Sequence, residues 1–513
     1  MTITKNACKQ LAVGAIVLIG AISCVTSQRM ECSEDNFGFK AGPVVKHSIY
    51  NGTEGGGKVQ FFHDSFGVNA HSGYISIDAN ATDGKMTKHL FFLLVKSQKE
   101  NASLIMWIQG GPAESSLFGQ FVENGPIGID KDGSLYKRNV TLSDDYDLLY
   151  LDQPAGAGFS FVNHSDGYVK SMEDSSEDIE KFMRKFLDIF YEYRGREFYV
   201  AGESYGVRFA VAAASHLHNL MQKEGGPLHL SLRGVMCYAG FFEEAMIQLD
   251  TSDYLLQLGL LDQAGYQTLK AVINQIKDLV YGKDYHKKLE SLHLFFKTFG
   301  WTLDASNPKL MTTLTGYLYD SNPLQATEPE EHVQFRHLMN NPGFKHALHV
   351  GSDVLYRGSD LLVRTNLAQD HTRTVGPELE TLLENGYRVL VLLGQLDIKV
   401  SGVATEKFLR TLNWCGKEAF RLGTRHLWWK DNADEDFMGY VTQGGNLTLV
   451  QLRSAGHYPF FDQPQAATEV TRRFVAGEPL LRKEFSANGR YETVSQCTPV
   501  EQVRMSSNTV TAD

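Results

Sequence analysis

The chain has 513 residues, of which 42% are hydrophobic and 21% are charged. This composition can fill a large core, either in one α/β domain that carries an insertion or in two or three smaller domains. The net charge is −11 and acidic and basic residues are interspersed, with no long basic run. This pattern argues against nucleic acid as a partner.

Residues 1–28 have the features of a signal peptide. Lys5 and Lys9 precede an apolar run from Leu11 to Val25, which suits a signal-peptide core and is short for a membrane span. Cleavage is predicted between about Ser23 and Arg29. An uncleaved N-terminal anchor is the alternative. We therefore expect a protein of the secretory pathway, secreted or lysosomal, without stable membrane insertion after the signal is removed.

Two further patterns bear on a secreted chain. Six N-x-S/T sequons are candidate glycosylation sites on surface loops: Asn51, Asn80, Asn101, Asn139, Asn163 and Asn446. Four cysteines remain beyond the signal, and Cys237, in an apolar run, could equally be a free buried thiol. No C-x-x-C or H-E-x-x-H motif occurs, so the sequence predicts neither a metal site nor a cofactor.

The first half of the chain alternates strands and helices. Strands are predicted at 71–77, 88–96, 104–108, 147–151, 197–201 and 233–239, several of them continuous apolar runs. Apolar residues at helical spacing predict a helix from Ser175 to Tyr193, with Ser175 or Ser176 as its cap. Strand, helix, strand and helix in succession indicate a mostly parallel central sheet with helices on both faces.

The middle of the chain changes character. From about 241 to 350 helical periodicity dominates, whereas strands are again predicted at 387–393 and 447–452 and a last helix at 465–475. We therefore expect a signal peptide (1–28), a core in two parts (29–240 and 351–485), a helical cap inserted between them (241–350) and a polar C-terminal tail (486–513).

A G-x-S-x-G pentapeptide stands between a predicted strand and a predicted helix. It comprises Gly202 to Gly206, with Ser204 at its centre. Strand, tight turn and helix are the context of a nucleophile elbow, which exposes the serine hydroxyl on a strained turn. The pentapeptide alone is a weak signal, since a helix-capping serine after a strand would look similar.

Two residues that could complete a catalytic triad follow later strands. A serine nucleophile needs a base, and the base needs an orienting acid. Asp397 follows the strand at 387–393 and His457 follows the strand at 447–452, in the order that α/β-hydrolases use. For the oxyanion hole, backbone N–H groups are expected from Tyr205, after the serine, and from Gly111 in a glycine-rich loop after an early strand.

Five blocks resemble the serine carboxypeptidases, with the vitellogenic-like branch closest. They are WIQGGPAESSLFGQFVENGP (Trp107–Pro126), YLDQPAGAGFSF (Tyr150–Phe161), AGESYG (Ala201–Gly206), LLGQLDIKVSG (Leu392–Gly402) and SAGHYPFFDQP (Ser454–Pro464). The resemblance implies an α/β-hydrolase fold with a helical cap, and release of single residues from peptide or protein C-termini.

The resemblance also implies roles for particular residues. Ser204, Asp397 and His457 would be the triad, Gly111 and Tyr205 the oxyanion donors, and Gln109, Gly110, Glu123 and Glu203 the groups that bind the substrate's terminal carboxylate. Two carboxyl groups held close cannot both ionise easily, so one keeps a proton at acidic pH and can donate a hydrogen bond. Activity is therefore expected to favour acidic pH.

The sequence departs from the family pattern at several points. The family usually has Gly-Cys or Gly-Gly where this chain has Ala113 and Glu114. Glu114 thus adds an acidic side chain near the site expected to bind the substrate's carboxylate. Val207 occupies a position where glycine normally eases helix packing. An acyltransferase or esterase on the same scaffold and a non-catalytic binding protein therefore remain alternatives, and whether the protein forms a homodimer is left open.

Overall fold

The computed structural model describes residues 57–78, 87–223, 228–243, 248, 250–281, 285–299, 309–352, 354–358, 360–430 and 437–480. The predicted signal peptide, the sequons at Asn51 and Asn80 and the predicted C-terminal tail lie outside these residues. None of the described helices is both long and apolar enough to span a membrane.

A mixed sheet is the centre of the molecule. The strands are β1 Asn69–Ile77, β2 Lys88–Lys96, β3 Leu104–Ile108, β4 Ile127–Ile129, β5 Leu135–Lys137, β6 Asp147–Leu151, β7 Phe161–Val162, β8 Glu197–Glu203, β9 Ser231–Tyr238, β10 Arg388–Gly394, β11 His426–Trp429, β12 Phe437–Gly444 and β13 Leu447–Leu452. The strand order is β1-β2-β6-β3-β8-β9-β10-β13-β12-β11, with β7 paired to β2. The six strands from β6 to β13 in this order are mutually parallel. The predicted mostly parallel α/β fold is confirmed.

Helices follow and connect these strands. They are α1 Gln60–Phe66, α2 Met172–Ile189, α3 Gly206–Met221, α4 Ser252–Gln257, α5 Gln263–Val280, α6 Tyr285–Phe299, α7 Leu310–Thr315, α8 Glu330–Asn340, α9 Pro342–Ala347, α10 Leu361–Asn366, α11 Gly376–Glu384, α12 Gly402–Thr411, α13 Lys417–Leu422, α14 Pro459–Asp462 and α15 Pro464–Ala476. A π-helical turn spans Gly119–Glu123. Helices α4 to α9 lie in the segment for which the sequence predicts a cap, whose boundaries remain a prediction.

Helix α2 illustrates how the sequence produces local structure. Its buried residues include Phe182 and Phe186, whose rings pack against Phe92 of β2 at centroid distances of 6.0 and 6.2 Å. The expected cap was wrong, because Ser171 caps the helix by accepting a hydrogen bond from Asp174 N. Ser175 lies inside the helix and is buried, where Gln153 Nε2 donates to its side chain.

The structure also contains strands that the sequence did not reveal. The antiparallel strands β11 and β12 extend the sheet beyond β13, and β4 pairs with β5 in a separate two-stranded sheet. Cys237 of β9 is a free buried thiol and Cys415 is disulfide-bonded.

Val207 is accommodated by a glycine on the neighbouring chain segment. The Val207 side chain is fully buried, and a Cβ added to Gly240, just after β9, would lie 2.6 Å from one Val207 methyl group. The isopropyl group therefore fills the space that Gly240 leaves. The crowding expected at this position is relieved by a glycine on the facing segment.

This packing predicts a reciprocal pair of substitutions. Gly240→Ala should lower the free energy of unfolding by about 1–3 kcal/mol, because the added methyl group overlaps Val207. The double variant Gly240→Ala/Val207→Ala should recover part of the loss, which chemical denaturation can measure. Additive effects of the two substitutions would contradict the direct contact.

Candidate active site

Ser204 lies in a tight turn, around which the backbone of the strand and that of the helix pack very closely. It has a φ of 56°, in the left-handed region that non-glycine residues rarely adopt. A Cβ on Gly202 would lie 2.3 Å from the carbonyl oxygen of Gly206, and one on Gly206 would lie 2.2 Å from that of Ile108. The two glycines let strand and helix meet around the serine, as the elbow motif predicts.

Asp397 and His457 are brought together from the ends of two neighbouring strands. Asp397 follows β10 and His457 follows β13, and Asp397 Oδ2 lies 2.9 Å from His457 Nδ1. The other carboxylate oxygen of Asp397 accepts hydrogen bonds of 2.8 Å from the backbone N–H groups of Lys399 and Val400. Both side chains are buried. The carboxylate therefore holds the ring in the orientation that leaves Nε2 as a proton acceptor.

The loop that carries His457 is clamped from outside the sheet. His457 N donates to Ser321 O at 2.8 Å, and Gly456 N donates to Asp462 Oδ2 at 2.7 Å. Asn322 Nδ2 donates to the same carboxylate oxygen at 3.0 Å. The segment Ser321–Asn322 therefore fixes the histidine loop, a role that nothing in the sequence pattern indicated.

Ser204 and His457 line one cleft of about 400 Å³. Within the described part of the chain, Ser204 Oγ forms no hydrogen bond with the His457 ring. Such catalytic hydrogen bonds are often long in enzymes without substrate and tighten only in the complex. The cleft also contains Gln109, Gly110 and Gly111, so five of the nine predicted catalytic and substrate-binding residues share one solvent-reachable space.

The glycine-rich loop after β3 lies directly against the elbow. A Cβ on Gly110 would lie 2.8 Å from Tyr205 N, and Gly111 has a φ of 106°, which favours glycine. Behind the loop, buried Asp152 accepts hydrogen bonds from Ser115 Oγ at 2.7 Å and Ser116 N at 2.8 Å. The N–H groups of Gly111 and Tyr205 therefore belong to adjoining backbone segments, as an oxyanion hole requires.

Gln109 and the two predicted glutamates form a buried polar cluster behind Ser204. Trp107 Nε1 donates to Gln109 Oε1 at 2.8 Å, which turns the amide nitrogen of Gln109 toward Glu203, to whose carboxyl group it donates. Glu203 ends β8 and Glu123 ends the π-helical turn. Both carboxyl side chains are buried.

Burial controls the protonation of this pair. Burial raises the pKa of Glu123 from 4.5 to about 7. The hydrogen bond with Glu203 and the charge of Arg138 lower this pKa, but burial has the larger effect. Burial, together with the neighbouring charge of Glu123, raises the pKa of Glu203 well above its ordinary value. The pair therefore holds at least one proton at acidic pH, because two adjacent buried carboxylates repel each other.

Several cleft residues were not found from the sequence. Phe118, His332 and Tyr458 form an aromatic wall with ring centroids 5.0 to 5.3 Å apart. Burial lowers the pKa of His332 to about 3, so its ring is neutral. Phe118 and Tyr458 lie within the first and last of the five blocks, but nothing in those blocks singles out their side chains, and His332 lies outside all five. The sequence shows that His332 lies in a segment of helical periodicity, but it does not indicate that the side chain reaches the cleft.

Glu114 has a cationic neighbour in the cleft. Its carboxylate lies 3.8 Å from the guanidinium group of Arg364 on α10. Burial lowers the pKa of Arg364 to about 10, so Arg364 stays charged at neutral and acidic pH. The extra acid that the sequence places near the carboxylate site is therefore offset by a positive charge.

The described sequons differ in exposure. Asn101, Asn139 and Asn163 are exposed, whereas Asn446 is partly buried between β12 and β13. Exposure is compatible with glycosylation at the first three, which remains a prediction.

Comparison with known proteins agrees with this arrangement. Residues 61–477 match the family model of serine carboxypeptidases. The chain is 29% identical to the human probable serine carboxypeptidase CPVL, across 80% of this chain and 84% of that protein. It is 30% identical to the venom serine carboxypeptidase of Apis mellifera, across 79% and 84%.

A solved structure supports the fold. The structure of KEX1(delta)p, a prohormone-processing carboxypeptidase from Saccharomyces cerevisiae, matches with a TM-score of 0.66 at 22% identity, covering 80% of this chain and 92% of that one. The family match spans the elbow, both later strand ends and the glycine-rich loop. The chain belongs to the serine carboxypeptidase family.

Proposed function

We propose that the protein removes single amino acids from peptide C-termini through an acyl-enzyme on Ser204, most rapidly at acidic pH. The observation that carries this proposal is the buried cluster of Gln109, Glu123 and Glu203 next to the elbow. A site that cleaves internal peptide bonds has no need of a proton-holding carboxyl pair at one end. A site that must bind a terminal carboxylate does.

In the proposed reaction, His457 takes the Ser204 proton as Oγ attacks the last peptide carbonyl. Asp397 keeps the ring oriented and stabilises the imidazolium that forms. The N–H groups of Gly111 and Tyr205 stabilise the oxyanion. His457 then protonates the leaving amine, which departs as the free amino acid, and water attacks the acyl-enzyme with His457 again as the base.

The substrate's terminal carboxylate would lie against Gln109, the backbone of Gly110 and the carboxyl pair. A protonated carboxyl group donates a hydrogen bond to a carboxylate, whereas an ionised one repels it. Loss of the pair's proton as pH rises would therefore weaken substrate binding. The carboxyl pair would therefore account both for the preference for acidic pH and for the specificity for C-terminal residues.

We further propose that the substrates are peptide or protein C-termini met after export through the secretory pathway, in a secreted or lysosomal setting. The N-terminal apolar run and the exposed sequons support this setting.

Ser204→Ala tests the nucleophile. This substitution should abolish release of C-terminal residues from a peptide library, followed by mass spectrometry, while the protein keeps its fold by circular dichroism. A fluorophosphonate probe should label the unsubstituted protein at Ser204 and leave the variant unlabelled. Peptide trimming by the variant would remove Ser204 from this role, and an unlabelled parent protein would favour a non-catalytic binding protein. Transfer of an acyl ester to an alcohol in place of hydrolysis would indicate an acyltransferase.

Glu123→Gln tests the carboxyl pair. At acidic pH it should lower kcat/KM for peptides with a free C-terminus by about tenfold, because the amide of glutamine is a weaker hydrogen-bond donor to a carboxylate than a protonated carboxyl group. The decline of activity as pH rises through about 7 should also flatten, because the shared proton is gone. The same peptides with an amidated C-terminus are the control and should respond less. An unchanged pH profile would argue against the pair.

The same raised pKa values affect stability. A carboxyl group whose folded pKa lies above its unfolded value stabilises the fold at low pH, and this contribution is lost as pH rises from about 4.5 to about 7. The difference in unfolding free energy between the parent protein and Glu123→Gln should therefore change across this window, in favour of the variant at the higher pH. Denaturant titrations at several pH values measure it. Titrating groups other than Glu203 cancel in the comparison, and the lower pKa of Glu203 in the variant shifts the difference in the same direction. A pH-independent difference would therefore contradict the raised pKa values.

A further inference from the structure

A hairpin after the π-helical turn leads the chain back to the segment that carries Glu123. Strands β4 and β5 pair antiparallel, with Ile127 opposite Lys137. Directly after β5, Arg138 N donates to Pro126 O at 2.8 Å, which closes the base of the hairpin. Arg138 is therefore held beside the residues that follow Glu123.

The Arg138 guanidinium binds the backbone on both sides of Glu123. It donates to four carbonyl oxygens at 2.6 to 3.0 Å, those of Gln120, Phe121, Gly125 and Ile127. Two of these carbonyl groups precede Glu123 in the chain and two follow it. One side chain therefore fixes the short segment that presents the glutamate.

Arginine suits this position because the turn ends here. The last carbonyl groups of a helical segment have no partner within it and need donors from elsewhere. The planar guanidinium presents several N–H groups in fixed directions, so it can reach carbonyl groups on both sides of the turn. Lysine would supply the same charge from one compact ammonium group. The shape and the charge of Arg138 can therefore be tested separately.

Besides the hairpin, four elements bring titratable groups to Glu123 or to its turn: Tyr150 on β6, Glu203 on β8, His332 on α8 and Asp462 on α14. Burial keeps two of them neutral, because it lowers the pKa of His332 to about 3 and raises that of Tyr150 well above its ordinary value. The other two are carboxyl groups. Among all these groups, Arg138 supplies the positive charge.

This charge acts on the protonation of Glu123. Burial raises the pKa of Glu123 to about 7, and the charge of Arg138 acts in the opposite direction. The guanidinium remains charged throughout the range in which carboxyl groups titrate. Without it, ionised Glu123 would be less stable, so the carboxyl pair would keep its proton to higher pH.

We propose that Arg138 is a positioning residue for the substrate's terminal carboxylate: it fixes the turn that presents Glu123, and its charge sets the upper pH limit of carboxylate binding. Arg138 acts through Glu123 and not through contact with the substrate. The β4–β5 hairpin, which the sequence did not reveal, then serves to bring this arginine to the site. This inference rests on the proposed peptidase function.

The pH dependence of kcat/KM for a peptide with a free C-terminus tests the charge. In Arg138→Gln the decline of activity with rising pH should move upward by about half a pH unit or more, because the charge that favours ionised Glu123 is gone. In Arg138→Lys, which keeps the charge, the decline should stay within about 0.2 pH units of the parent value. An unchanged decline in Arg138→Gln, or an equal movement in Arg138→Lys, would overturn the proposal.

Kinetics at acidic pH test the positioning. Both variants should raise KM for the free C-terminal peptide by about tenfold and leave kcat within about twofold, because they disturb carboxylate binding and leave Ser204 and His457 in place. The same peptide with an amidated C-terminus should change by less than about twofold. Equal losses with the two peptides would indicate general damage to the fold and overturn the positioning role. If Arg138→Gln fails to fold, this comparison in Arg138→Lys decides.

Lys137 provides a matched control, since it is the neighbouring cation and its side chain is exposed. Lys137→Gln removes an equal charge and should leave the decline within about 0.2 pH units of the parent value, because solvent screens an exposed charge. A shift as large as that of Arg138→Gln would mean that net charge, and not Arg138, sets the limit. Adding Arg138→Gln to Glu123→Gln should move the decline no further, and a further movement would show that Arg138 does not act through Glu123.

Binding without turnover separates this inference from the proposed function. Calorimetric titration of Ser204→Ala and of Ser204→Ala/Arg138→Gln with the free C-terminal peptide, at several pH values, gives the Kd of each. If binding weakens at a higher pH in the second protein while the parent trims no peptide, Arg138 has the proposed role and the peptidase is refuted. Acid-favoured trimming by the parent, with the same pH profile in Arg138→Gln, would refute the role of Arg138 and leave the peptidase standing.

Discussion

The site depends on backbone segments that approach each other more closely than side chains would allow. Gly110, Gly202 and Gly206 occupy positions where a Cβ would overlap a neighbouring backbone atom. The left-handed conformation of Ser204 is held between them, with its N–H donating to Tyr238 O and its carbonyl oxygen accepting from Phe241 N. Strain of this kind persists only where the surrounding structure determines it completely. The parallel strands supply that surrounding, since their carboxyl ends meet at one edge of the sheet.

A second constraint is electrostatic and opposes stability. Placing Glu123 and Glu203 together in the interior is costly when either is ionised, and the fold offers limited compensation. Gln109 donates to Glu203, and Arg138, although its charge lowers the pKa of Glu123, donates its hydrogen bonds to backbone carbonyl groups such as Gln120 O and Phe121 O. The pair is therefore left to hold a proton rather than being neutralised by a cation. A cation in direct contact would stabilise the fold and remove the group that can donate to a carboxylate.

The sequence predicted those parts of the fold that follow from local pattern. Apolar strand runs, the strand–turn–helix context of Ser204 and the strand-end positions of Asp397 and His457 all depend on residues near one another in the chain. The cap of α2 was placed too late because Ser171, Ser175 and Ser176 are all acceptable caps and only tertiary packing selects among them. Strands β11 and β12 were missed since they lie at the end of the sheet, with β11 as its edge, and contain partly exposed residues and no continuous apolar run.

Contacts between distant segments lie beyond such patterns, and they change how the departures from the family should be understood. Taken alone, Val207 crowds a tight crossing and Glu114 adds charge to an anion site. In the folded chain Val207 packs against Gly240, and Glu114 lies near Arg364. Each departure thus meets a partner on another segment that offsets its steric or electrostatic cost, which is what a functioning site would require. Neither departure disturbs the contact between Asp397 and His457 or the buried carboxyl pair. Val207 and Glu114 are therefore compatible with an active site built on these residues.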